Sequence, residues 1–97
     1  MKVKKLHANI PYKLVCVEWT DSHSSGPGWS TPEQLKKAGT RTVLCISVGW
    51  LISKSGPDAV ICPHLSDVND SGFGAGCGDI AIPKKAIVRM TAIPNDF

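Results

Sequence analysis

Four cysteines and three histidines are the residues of this 97-residue chain best equipped for chemistry. Cys77 stands among glycines in SGFGAGCGD, beside Asp79. A cysteine nucleophile needs a base to form its thiolate, and His23 or His64 can supply one if the fold brings it near. No local cysteine-hydrolase signature surrounds Cys77, and a G-x-S-x-G elbow is absent, so an ordinary loop cysteine is the preferred reading and no catalytic residue is assigned. Cys62 and His64 are two apart, which puts them on one side of a strand. A zinc ion takes four ligands, so at least two more would have to come from distant parts of the chain. No metal site and no cofactor are expected on this spacing. The glycines of SGFGAGCGD fall at every second residue, and the segment lacks a P-loop lysine, so the known phosphate loops do not fit. A backbone anion nest remains open beside the plainer reading of a loop tip.

Binding chemistry is better represented. Asp21-Ser22-His23-Ser24-Ser25 offers hydroxyl, carboxylate and imidazole groups that can hold a ligand's hydroxyls or phosphates. The same side chains can instead satisfy turn backbone. Trp29 follows Gly26-Pro27-Gly28, where no periodicity asks for an aromatic. It can stack on a base, anchor a protein partner, or fold back over the end of the core. Lys84, Lys85 and Arg89 can pair with phosphate or simply keep a turn and a strand face wet. The bases cluster at the two ends of the chain (Lys2, Lys4, Lys5 and Lys13; Lys84, Lys85 and Arg89), while acids outnumber bases between them. If the ends meet, they make one positive patch. The net charge of +3 provides few phosphate contacts, so specific nucleic-acid binding is not expected.

These groups need a scaffold. Residues 12–20, YKLVCVEWT, alternate as a strand, with Val15, Val17 and Trp19 on the core face. A run of turn formers follows. Thr31 then reads as the N-cap of a short helix, with Pro32 at its first position and Gly39 past its end. Residues 42–52 form the strongest strand, with Leu44, Ile46, Val48, Trp50 and Ile52 on one face. Gly49 on the other face marks a bulge or a close backbone approach. A tight turn at 55–58 returns the chain as a strand over 59–65, with Pro63 at an edge or near the strand's end. Residues 66–78 read as a long loop, 79–82 as a strand, Pro83-Lys84-Lys85 as a short turn and 86–93 as the last strand. Trp19 and Trp50 belong in the core or half-buried.

Composition fits one such domain. Hydrophobic residues make up 42% and charged residues 20%, which excludes disorder, and the length leaves no room for a second core. No apolar run approaches the ~18 residues of a membrane span. No apolar stretch follows the basic start, so a secretory signal is not expected and the thiols should stay reduced.

The segment Gly78-Asp79-Ile80-Ala81-Ile82-Pro83-Lys84-Lys85-Ala86-Ile87-Val88 resembles the final strand, 3-10 turn and strand of SH3 barrels, which often read G-x-I-P-x-x-x-V. Residues 21–31 lie where an SH3 RT loop would be. The ALYDY signature is missing, and Lys85-Ala86 stand where Asn-Tyr is expected, so the resemblance carries topology and not proline-rich peptide binding. A second resemblance spans roughly residues 15–93. Trp19-Thr20-Asp21-Ser22, Gly28-Trp29, Val48-Gly49-Trp50-Leu51-Ile52 and a later Ile-Pro resemble the W-x-D-S, G-W, V-G-W-L-I and I-P pattern of small proteins encoded by tailed phages. It implies a phage accessory or counter-defence role in the host cytoplasm.

The expected fold is mainly β: one small SH3-like barrel of about five antiparallel strands with a short helical insertion. A basic arm over 1–11 precedes the barrel at 12–93, and 94–97 form a tail. The expected function is non-catalytic sequestration of a small anionic nucleotide-type ligand by Trp29, Ser22, His23, Lys84, Lys85 and Arg89. The alternative is inhibition or adaptation of a host protein through Trp29. Exposed barrel edges favour a homo-oligomer.

Overall fold

A computed structural model describes residues 10–22, 27–38 and 42–94. Strand β1 (Lys13–Asp21) leads to helix α1 (Pro32–Ala38), then to β2 (Val43–Ser53), β3 (Asp58–Cys62), β4 (His64–Ser66), β5 (Ala75–Cys77), β6 (Ile80–Pro83) and β7 (Ile87–Ile93). Five strands form one antiparallel sheet in the order β6-β3-β2-β1-β7, and β4 pairs with β5 in a separate hairpin. The fold is therefore a small SH3-like β fold, but its barrel is not closed: β6 and β7 end the sheet without pairing to each other. Residues 1–9 of the basic arm and 95–97 of the tail lie outside the described residues.

β1 lies inside the sheet, between β2 and β7, and its alternation suits a strand with neighbours on both sides. Val15 and Val17 are buried, and with Ile61 and Ile82 they form the core, against which Trp19, Leu51, Ile80, Ile87 and Met90 pack. Burying each of the four core side chains, Val15, Val17, Ile61 and Ile82, contributes about 1.5–3 kcal/mol. The facing residues of β2 are small. Cys45, Ser47 and Gly49 lie opposite Trp19, Val17 and Val15. Trp19 fits over them and donates its indole Nε1–H to Ser47 Oγ at 3.0 Å. At Gly49 a Cβ would come within 3.0 Å of the Cys62 backbone, so the close approach expected of this glycine is found.

That arrangement turns Leu44, Ile46 and Val48 of β2 outward, while Leu51 packs on the core. Leu44, Ile46, Val48 and Trp50 do share a face, opposite Thr20, Glu18, Cys16 and Leu14, but it is the face away from the core. β3 joins β2 only from Trp50 onward. Pro63 follows Cys62, lacks an N–H for a ladder, and the chain departs there into the β4–β5 hairpin. Among the described residues, no strand pairs with residues 43–49 on the side away from β1.

Two sequence expectations change. The strand over 59–65 is two strands, divided at Pro63, and the loop over 66–78 contains β5, which returns onto β4 with His64 opposite Cys77. The insertion matches its reading. Thr31 Oγ1 accepts from Gln34 N at 3.3 Å while Gln34 Oε1 accepts from Thr31 N at 2.9 Å, a reciprocal cap that satisfies two free helix-end groups.

Candidate binding surface

The link between β6 and β7 defines one end of the sheet. The 3-10 turn Lys84–Ala86 is held at both sides: Lys84 N donates to the Pro57 carbonyl at 2.9 Å, and the Ala86 carbonyl accepts from Thr20 Oγ1 at 3.4 Å. Ser22, two residues beyond Thr20, therefore emerges from the same end of β1 as this turn. Ser22 is exposed, and its backbone N–H donates to Asp21 Oδ1 at 2.8 Å. His23 lies outside the described residues.

The cations are not equivalent. Lys84 donates its Nζ to the Lys54 carbonyl oxygen, so its charge is held over the β2–β3 turn. Arg89 faces Glu18 across the β1–β7 register and donates Nε–H to Glu18 Oε2 at 2.5 Å. That hydrogen bond, and then the carboxylate's charge, raises the guanidinium pKa above its ordinary value. Lys85 is exposed and has no hydrogen bond or ion pair among the described residues. An incoming anion meets Lys85 free, whereas it must compete with Glu18 for Arg89.

Trp29 stands fully in solvent, just before the helix whose Leu35 is also exposed. Of the alternatives for this residue, the structure places the indole away from the core. The cysteines divide as well. All four are free, and Cys77 is exposed. The buried Cys62 thiol lies 3.3 Å from the His64 carbonyl and 3.4 Å from the Cys77 carbonyl, pinning the β4–β5 hairpin. No cluster of three His, Cys, Asp or Glu side chains able to hold a metal occurs among the described residues. An apolar groove of about 470 Å³ lies between residues 10–14 and 92–94, and none of the candidate residues lines it.

The feature that sequence reasoning missed is the outer face of β2. Leu44, Ile46 and Val48 are all exposed there, and Val43, on the other face at the start of the strand, is exposed as well. Trp50, further along, buries its indole Nε1–H without a partner among the described residues, leaving one donor unmet. The available signal was the opposite face: Cys45, Ser47 and Gly49 leave room for a tryptophan, so that side is the core side.

No protein-family model matches the chain, and neither the curated proteins nor the solved structures provide a match. No helix among the described residues is long and apolar enough to cross a membrane.

Proposed function

We propose that the chain is a non-catalytic binding protein that docks on a host protein as an inhibitor or adaptor, through the insertion between β1 and β2. One observation carries this reading: Trp29, a large anchor side chain, is fully solvent-exposed immediately before a capped helix that presents Leu35. Buried tryptophans at protein interfaces are among the largest contributors to binding. The host cytoplasm as the place of action, and a counter-defence role, rest on the resemblance to small phage-encoded proteins.

A second reading, sequestration of a small anionic nucleotide-type ligand, is favoured by one contact. The Thr20–Ala86 hydrogen bond draws the Ser22 end of β1 and the turn bearing Lys84 and Lys85 together. One comparison separates the two. Immobilised wild-type protein and Trp29→Ala are exposed to host lysate, and both are screened for thermal stabilisation by nucleotides. The protein-docking reading expects a discrete captured host protein that Trp29→Ala binds roughly tenfold or more weakly, with an unchanged unfolding transition. Equal capture by both variants overturns it. Stabilisation by a nucleotide with no captured protein also overturns it, in favour of the anionic ligand.

A further inference from the structure

We infer that the unpaired edge of β2 adds to the same edge of a second copy of this chain, antiparallel about a two-fold axis at Ile46. This goes beyond the Trp29 reading and does not depend on it.

A free strand edge presents a row of unmet N–H and C=O groups, and natural sheets blunt such edges. Two of the three edges in this sheet are blunted. β6 has only four residues and ends on Pro83, which has no N–H to offer. β7 carries Arg89, and its register with β1 shifts between Glu18 and Trp19. The third edge has no such device. Residues 43–49 run in unbroken register with β1, contain no proline and no charge, and expose Val43, Leu44, Ile46 and Val48. Every second residue there leaves its N–H and C=O without a strand partner, for the length over which β3 is absent.

The occupant follows from symmetry and charge. A two-fold axis perpendicular to the sheet maps each face onto itself, so opposed residues must have the same parity. With the axis at Ile46, Ile46 meets Ile46 of the second copy, Leu44 meets Val48, and Cys45 meets Ser47. The outer face then becomes one apolar cross-strand ladder, and the hydrogen-bonding positions of the two edges coincide. A charged residue at 46 would confront its own like across this axis, and one at 44 or 48 would be set against an apolar partner. Six consecutive uncharged positions, 43–48, on an exposed strand of a chain that is 20% charged satisfy that demand. A foreign strand would impose no such requirement. Pairing stops after Gly49, because β3 occupies the edge from Trp50. Seven residues of edge bury less than the roughly 1,200 Å² of a standard interface, so the dimer is weak and concentration-dependent.

The test reads register as well as stoichiometry. Ile46→Cys and, separately, Leu44→Cys are oxidised gently and run on non-reducing gels beside the wild type. Wild type and Ile46→Lys are also sedimented up to concentrations on the order of 100 μM, with circular dichroism confirming that each variant is folded. The expected result is a covalent Ile46→Cys dimer that forms several-fold faster than that of Leu44→Cys. Wild type should pass from monomer to dimer on concentration, and Ile46→Lys should stay monomeric. A wild type that remains monomeric throughout overturns the inference. So does a dimer that survives Ile46→Lys, or cross-linking of Leu44→Cys at the rate of Ile46→Cys.

Discussion

Strand β3 and the first half of β2 are made of the same kinds of residue, yet Ile61 is 1% exposed and Ile46 is 65% exposed. The difference lies in what stands across from each. β3 has β2 on one side and β6 on the other, and Ile61 points into the core with Val17 and Ile82. Ile46 lies on a strand half with β1 alone beside it, opposite Glu18 on the outer face. Apolar β-branched residues thus serve two ends in one sheet. In β3 they hold the fold together, and in β2 they are left for an encounter. Exposed apolar groups gathered in this way mark interaction sites in soluble domains.

Substitutions should separate the two regions by the size of their effect. Ile61→Ala removes buried methyl groups beside Val17 and Ile82 and leaves a cavity; it should lower stability by about 2–5 kcal/mol, read as a shift of the urea midpoint. A midpoint near that of the wild type would mean that the core lies elsewhere. Gly49→Ala probes the seam where β3 begins. Its methyl would meet the Cys62 backbone at 3.0 Å, and backbone yields poorly. Overpacking costs about 1–3 kcal/mol, offset in part by the roughly 0.5–1 kcal/mol lost to glycine's backbone freedom. A net loss of about 1–2 kcal/mol is expected in the same assay, and a stabilised variant would show that β2 and β3 do not approach so closely.

The sequence reveals the buried region better than the open one. The alternation of Val15, Val17 and Trp19 identifies β1 and its inward face, and Gly49 announces a close approach. Thr31, Pro32 and Gln34 mark the start of α1 through local hydrogen bonding. The outward direction of Leu44, Ile46 and Val48 is hidden because both faces of β2 lack charge, so periodicity alone does not say which is inside. The β4–β5 hairpin is hidden for another reason: strands of three residues carry no period, and the glycines around Cys77 read as a loop. Among the binding candidates, the exposure of Trp29 could be suspected from its place after Gly26-Pro27-Gly28. The engagement of Lys84 with Lys54 and of Arg89 with Glu18 depends on strand pairing between distant segments, which no local pattern reports.

The smallest expected effect is also the most informative. Urea unfolding of Ile46→Lys and wild type, both dilute enough to be monomeric, asks whether the first half of β2 belongs to the core. The two midpoints should agree to within about 0.5 kcal/mol, as for a surface position. A loss of several kcal/mol, comparable with that of Ile61→Ala, would show that Ile46 is packed inside the monomer and that this edge of the sheet is not open.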